Sequence, residues 1–312
     1  MTPLRDAVDE YIALRRSLGF KLHGMAADLQ DFVSFLEQHD APVITAALAV
    51  AWAMQPVDHQ PSDWAQRLGC VRVFARHWSA TDPRTEIPAA GLLPFRPQRA
   101  RPYLYTDTEI RHLLTATKTL PSRNGLRPCT YHCLFGLLVV SGMRISEAIA
   151  LERHDVDLHD GLLTIRKTKF NKTRLIPLHA STRDVCRAYA RQRERVVPHP
   201  AASAFLLTDR GCRLEIGTVH RTFYAVSRQI GLRGPADHTG PRIHDLRHRF
   251  AVTTLIQWYR AQEDIERRLP VLSTFLGHAH VADTYWYLSL HPELMHLATS
   301  RLEQRWGLTH AD

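Results

Sequence analysis

The sequence predicts a mainly α-helical protein of two domains, the second carrying one small antiparallel β-sheet. Three observations lead there. Apolar residues recur at three- and four-residue spacing along most of the chain, the mark of helices with one buried face. The 312 residues are many for a single hydrophobic core and divide more naturally into two. Strand-forming runs are confined to one place, where "LLTIR" (162–166) and "RLIPL" (174–178) flank the polar "KTKFNKT", the pattern of a hairpin.

The elements follow in order. "DAVDEYIALRRSLGF" places Val8, Tyr11, Ile12 and Leu18 at helical spacing, and "ADLQDFVSFLEQH" repeats the habit with Leu29, Phe32, Val33 and Leu36. Two more helices are expected over about 44–54 and 62–79, so residues 1–90 make a small all-helical domain. Proline-rich "IPAAGLLPFRPQRARPYL" (87–104) lacks periodicity and suits an exposed connection, the linker proper being 91–103. The second domain, 104–312, opens on "TDTE", a capping box with Thr106 at the cap and Glu109 reaching back. A mostly apolar helix at about 128–141 ends before Gly142, and the short amphipathic "MRISEAIAL" comes next. Beyond the hairpin, helices are expected at about 182–195, 217–230, 242–259, 270–276 and 281–290, with Gly277 as a C-terminal cap. The tail "HPELMHLATSRLEQRW" carries Leu294, Leu297 and Leu302 at roughly helical spacing.

Composition narrows the function. An apolar fraction of 45% supports packed cores rather than disorder. "LFGLLVVSGM" (134–143) is too short to cross a bilayer, and "MTPLRDAVDEY" lacks an apolar signal region. A soluble, cytoplasmic protein with no membrane partner is expected. Five scattered cysteines without a Cys-x-x-Cys pair suit a reducing compartment and give no zinc ribbon. The formal charge of +9 is uneven: residues 1–98 hold 9 basic and 11 acidic residues, net −2, leaving 31 basic against 20 acidic, net +11, for 99–312. A polyanion would be drawn mainly to the second part.

Chemistry concentrates in four segments. In "GPRIHDLRHRFAVTTLI", His244 and Arg247 are three apart and His244 and His248 four apart, spacings that share a helix face. His244 and Arg247 can meet one anion together; the ordinary alternative is an exposed basic helix anchored by Leu246, Phe250 and Leu255. His244, His248, His278 and His280 also invite a zinc reading, but the glutamate of His-Glu-x-x-His is absent and Arg247 and Arg249 would sit beside the cation. "SGMRISEAIAL" offers Arg144 with Glu147 three residues on to orient its guanidinium, a rigid fork suited to phosphate oxygens. "RKTKFNKTR" presents Lys167, Lys169 and Lys172 near a hairpin tip. The fourth segment, "STFLGHAHVADTYWYLSLHPEL", adds tyrosines just beyond "LGH". The set is chemically complete for phosphodiester cleavage without a metal: arginines to balance charge, histidine and lysine to manage protons, and a phenol as nucleophile.

The blocks "SGMRISEAIAL", "KTKFNKTRLIPL", "HDLRHRFA" and "FLGHAHVADTYWYL", in this order, resemble the tyrosine recombinases, the phage-integrase family of site-specific DNA recombinases. The resemblance implies that Arg144, Lys169, His244, Arg247 and His278 surround the scissile phosphate, with Glu147 supporting Arg144. Lys169 takes the place of the hairpin lysine that protonates the leaving 5′ oxygen, although Phe170 stands where the family usually has glycine. Tyr287, nine residues after His278, falls at the nucleophile's place; its rival Tyr285 is two residues short, and Tyr285 and Trp286 read as packing residues. The helical first domain resembles the family's SAM-like DNA-binding domain. DNA contacts are expected from Arg15, Arg16, Lys21, Arg67, Arg72 and Arg76 there, from Arg96, Arg99 and Arg101 in the linker, and from Lys167 and Lys172.

By the same resemblance, Tyr287 forms a 3′-phosphotyrosyl link and four protomers on paired double-stranded DNA sites exchange strands in two rounds, with no cofactor. The C-terminal tail either docks on a neighbouring protomer or closes its own domain, and an accessory DNA-bending or directionality protein is a possible partner. Three other functions compete: type IB topoisomerase-like relaxation, a catalytically inactive DNA-binding relative, and a zinc-binding regulator.

Overall fold

The computed structural model describes residues 3–55, 57–93, 101–166, 173–235, 237, 240–278, 280–289 and 291–306. The chain forms two compact units, Met1–Ala100 and Arg101–Asp312.

The first unit holds four helices, α1 (Pro3–Ser17), α2 (His23–Gln38), α3 (Ala46–Met54) and α4 (Pro61–Trp78). Their apolar faces close on Phe32, Trp52 and Phe74, all fully buried. Leu18 lies outside α1 and is exposed, because the chain leaves the helix through Gly19 at φ 89°; the expected helical stripe ends at Ile12.

The second unit opens with α5 (Asp107–Thr117), whose capping box forms as expected: Glu109 N–H donates to Thr106 Oγ1 at 3.2 Å and Thr106 N–H to Glu109 Oε2 at 2.7 Å. Helix α6 (Leu126–Ser141) begins before Pro128 rather than at it, since Asp209 accepts from the Arg127 amide at 2.8 Å and fixes the first turn. It is the buried axis of this unit, packed by α5, α8 (Ala180–Val196) and α10 (Asp245–Arg260). Helix α7 (Ile145–Ala150) leads to the sheet, β1 (Val156–Asp157), β2 (Leu162–Ile165) and β3 (Arg174–Pro177), antiparallel in the order β1-β2-β3 with Leu163 opposite Ile176. The two-residue β1 was too short to show in the sequence pattern. Helix α9 (Ile216–Gln229) completes the larger core.

The last elements depart most from expectation. Helix α11 runs Ile265–Leu276, because Asp264 accepts from the Arg267 amide at 3.2 Å and starts the helix a turn before Pro270, which then sits inside it. The single helix expected over 281–290 is instead a four-residue turn, α12 (Ala282–Tyr285), followed by 3₁₀ geometry over Trp286–Ser289. Helix α13 (Pro292–Trp306) carries Leu294 into a satellite core with α10 and α11, while Leu302 is exposed. Among the described residues no helix is long and apolar enough to cross a membrane.

Candidate active site

Two glycines with left-handed backbones, Gly142 at the end of α6 and Gly277 at the end of α11, turn the chain into the site. At both, a Cβ would collide: with the Phe250 ring at 2.5 Å for Gly142 and with Arg174 Nη1 at 2.7 Å for Gly277. Only glycine combines positive φ with such close approach.

Arg144 follows the first of these turns, at the N-cap of α7. Glu147, one turn on, accepts the Arg144 amide at 2.8 Å and its Nη1 at 2.9 Å. Arginine has no acceptor of its own, so the cap here is the half that the carboxylate supplies. Arg144 Nη2 donates onward to Gly277 O at 3.2 Å. Burial would raise the Glu147 carboxyl, but hydrogen bonds and charge from Arg174, then Arg144, outweigh it and hold it below the usual carboxylate range.

Arg247 is 2% exposed. Its Nη1 donates to Gly142 O and its Nη2 to Leu276 O, each at 2.8 Å. Neither bond is to a carboxylate, so the charge is fixed in place without being cancelled. Burial first, then the Arg144 charge, push Arg247 down to about 10, while the Tyr287 phenol and Glu147 act the other way. It stays protonated at neutral pH and, together with Arg144, gives a positive centre suited to an anion.

His244 stands at the start of α10, where Asp245 accepts the Arg242 amide and Nη2, both at 2.8 Å, and fixes the turn. Its side chain opens to solvent; partial desolvation, then Arg247, lower its pKa. His278 Nδ1 lies 2.7 Å from Thr284 Oγ1, and Thr284 is fully buried. When the hydroxyl donates to Nδ1, Nε2 carries the proton and can donate to a phosphate oxygen. Burial, then Arg247 and Arg144, push His278 down to about 4.

The structure separates the two tyrosines. Tyr287 is 2% exposed, its ring stacked 6.0 Å from His278 and 5.6 Å from the His248 ring. Tyr285 is 54% exposed. The expectation that Tyr285 packs is therefore corrected: the 3₁₀ segment carries Trp286 and Tyr287 inward and leaves Tyr285 in solvent. Trp286 does pack, 5.2 Å from His248.

Arg144, His244, Arg247, His278 and Tyr287 are thus brought into one site, with Glu147 beneath Arg144. Lys167, Lys169 and Lys172 lie outside the described residues, as do Arg96 and Arg99. Of the expected DNA contacts, Arg16, Lys21, Arg76 and Arg101 are exposed. Arg67 lies over the Trp52 ring at 3.9 Å and bonds Asp31 at 3.1 Å. Arg72 donates to the carbonyls of Pro88 and Ala89, and Arg15 lies over Phe20. His244 and His248 meet edge to face at 4.8 Å, yet among the described residues no three His, Cys, Asp or Glu side chains are grouped to hold a metal.

Three residues of the site have places that the sequence does not show. Thr284 sits six after His278 with no pattern to mark it. His248 was read only as a possible ligand, whereas its ring packs on Tyr287 and Trp286; burial, then His244, push it down to about 4. Arg174 joins Glu147 at 2.7 Å. A signal for it exists, because strand alternation puts Arg174 on the same face as buried Ile176 while Leu175 points out.

The sequence of the phage integrase family matches residues 104–293. A Sinorhizobium fredii protein named "Putative integrase/recombinase y4rB" is 57% identical over 98% of this chain and 99% of its own length. The solved structure of the Tn1549 transposon integrase in complex with transposon right end DNA superposes with a TM-score of 0.67 at 16% identity, covering 97% of this chain and 99% of that one. A lambda integrase tetramer bound to a Holliday junction gives a TM-score of 0.58 at 20% identity, over 89% and 77% of the respective chains. At these identities the two structures speak for the fold alone.

Proposed function

The chain belongs to the phage integrase family of tyrosine recombinases, and on that premise we propose that it cuts and rejoins DNA at the site just described, with Tyr287 as nucleophile. It is a site-specific DNA recombinase, an enzyme of DNA strand transfer.

The Tyr287 oxygen attacks the scissile phosphorus, a P–O bond to the phenol forms, and the bond to the 5′ oxygen breaks. The product is a 3′-phosphotyrosyl link and a 5′ hydroxyl. Arg144 and Arg247 take the charge that shifts onto the nonbridging oxygens. His278 donates to one of those oxygens, and His244 assists transfer of the phenolic proton. Lys169 is assigned the protonation of the leaving 5′ oxygen on the family resemblance. A 5′ hydroxyl from a partner duplex then attacks the phosphotyrosine and restores a phosphodiester. Because the link conserves the energy of the broken bond, no nucleotide is needed, and the arginines do the charge balancing that a metal would otherwise do.

The observation that carries this reading is that buried Arg247, donating to the Gly142 and Leu276 carbonyls, lies close enough to the inward Tyr287 for the phenol to act on its charge, with the Tyr287 ring stacked on His278. Double-stranded DNA bearing a recombination site is the substrate, and paired sites held by a tetramer are the working assembly, by analogy with the lambda integrase complex. Residues 1–90 serve as the DNA-binding domain, 91–103 as the linker and 104–312 as the catalytic domain. A protein working on chromosomal DNA belongs in the cytoplasm, at the nucleoid.

The test is trapping on nicked suicide duplexes that carry the site recovered from the protein's own covalent complexes. Wild-type protein and Tyr285→Phe form the covalent complex, while Tyr287→Phe binds the duplex and forms none. Trapping that survives in Tyr287→Phe and is lost in Tyr285→Phe reverses the assignment.

A further inference from the structure

The last carbonyls of a helix have no intrahelical donor and carry the negative end of its dipole. At the end of α11 three successive carbonyls are each capped by a different arginine. Phe275 O accepts from Arg174 Nε at 2.8 Å, Leu276 O from Arg247 Nη2 at 2.8 Å, and Gly277 O from Arg144 Nη2 at 3.2 Å. Two of these arginines face the phosphate in the mechanism above. The third, Arg174, has no part in it and comes from β3.

Arg174 is 8% exposed in its side chain, as is Glu147. Its Nη1 reaches Glu147 Oε1 at 3.1 Å and its Nη2 reaches Oε2 at 2.7 Å, a bidentate pair. All three guanidinium nitrogens therefore donate inside the protein. One side chain ties β3, the carboxylate beneath Arg144, and the end of α11 that leads to His278.

Glu147 matters here because it is shared. Arg144 makes one side-chain bond to it, through Nη1, while Arg174 takes both oxygens. Were Arg174 absent, the buried carboxylate would have Arg144 as its remaining partner, and Arg144 would be drawn into a full ion pair and away from Gly277. Lysine cannot do the same work: a single ammonium does not span two carboxylate oxygens and a carbonyl. Gly277 belongs to the same device, since any Cβ there would meet the Arg174 guanidinium.

We propose that Arg174 is a positioning residue for strand cleavage, which locks Glu147 and the C-terminal end of α11 into one frame so that Arg144 and His278 meet the scissile phosphate in register. The proposal rests on the cleavage reading above and adds to it a residue that touches no substrate.

The experiment uses full-length protein and the nicked suicide duplex, with single-turnover covalent-complex formation at saturating protein, duplex Kd and thermal melting measured on the same preparations. Arg174→Met slows complex formation about 100-fold, in the range of one lost preorganised donor, with Kd changed less than about threefold. Arg174→Lys, which retains the buried charge, recovers no more than about a tenth of the wild-type rate. In a Glu147→Gln background, Arg174→Met costs less than about fivefold further, because residues acting as a unit are not additive. If Arg174→Met does not fold, Arg174→Lys carries the test. Either variant, folded at the assay temperature and cleaving within about threefold of wild type, overturns the proposal, as does an Arg174 loss that multiplies in full with that of Glu147→Gln. If wild-type protein itself forms no covalent complex, the cleavage reading fails and the proposal with it, a result distinct from an active wild type with an indifferent Arg174.

Discussion

The two units treat their arginines differently. In the first, three guanidiniums each have carboxylates of their own, Arg5 with Glu37, Arg67 with Asp28 and Asp31, Arg84 with Asp82, although Arg72 donates to the Pro88 and Ala89 carbonyls. In the candidate site three arginines have one carboxylate among them: Arg144 and Arg174 both pair with Glu147 and also donate to the Gly277 and Phe275 carbonyls, while Arg247 donates to the carbonyls of Gly142 and Leu276. A carboxylate holds an arginine by cancelling its charge; a carbonyl holds it and leaves the charge in place. The first arrangement stabilises a small helical unit with a slightly acidic balance. The second keeps more positive charge than its one carboxylate balances, at the price of desolvation, and so suits an anion.

The largest test of this contrast is Arg247→Ala, expected to slow covalent-complex formation about 1000-fold while duplex Kd moves by only a few fold. A comparable loss in affinity would mean that Arg247 serves binding rather than the transition state. Arg67→Ala is expected to do the opposite: it lowers stability by about 1 kcal/mol through the lost packing on Trp52 and a partly exposed ion pair, and leaves the cleavage rate of folded protein within about twofold. Denaturant melts and single-turnover rates on the two variants separate the roles.

A third prediction concerns pH. His248 and His278 are pushed down to about 4 in the folded protein, whereas the unfolded chain takes up these protons near 6.5. Between those values the unfolded state binds more protons, so stability is present above about 6.5 and is lost as pH falls toward 4, by at most about 1.4 kcal/mol per pH unit for each histidine. The melting temperature of the free protein should fall from pH 7 to pH 5, and His248→Gln should flatten that slope. A slope unchanged in the variant would place the proton uptake elsewhere. The smallest effect is that of Thr284→Val, which frees His278 Nδ1 and should slow cleavage about 10-fold without shifting duplex Kd. No change would mean that Thr284 does not set the imidazole's orientation.

Legibility in the sequence followed the same divide between local and distant causes. Helices whose caps and periodicity lie within a few residues were readable, as the Thr106–Glu109 box and the apolar run of α6 illustrate. The start of α11 was misplaced because Pro270 is a strong local stop signal that Asp264 overrides from a turn upstream. The 3₁₀ turn at Trp286 was invisible to a 3.6-residue pattern, yet it is what leaves Tyr285 in solvent. Family motifs point to Arg144, His244, Arg247, His278 and Tyr287, because each block fixes a residue by short spacing, and the fold brings these five side chains together. The carbonyls that hold the arginines could not be read, since Gly142 lies 105 residues from Arg247 and Phe275 lies 101 from Arg174. Contacts of that range exist only once the chain is folded.

The most direct measurement compares cleavage of an ordinary scissile phosphate with cleavage of a methylphosphonate, which lacks the negative charge, by wild type and Arg247→Ala. If the carbonyl-held arginine is there to balance charge, the uncharged linkage should recover most of the roughly 1000-fold loss in the variant. An equal loss on both substrates would contradict the account, because the arginine's contribution would then be independent of the charge it is held to meet.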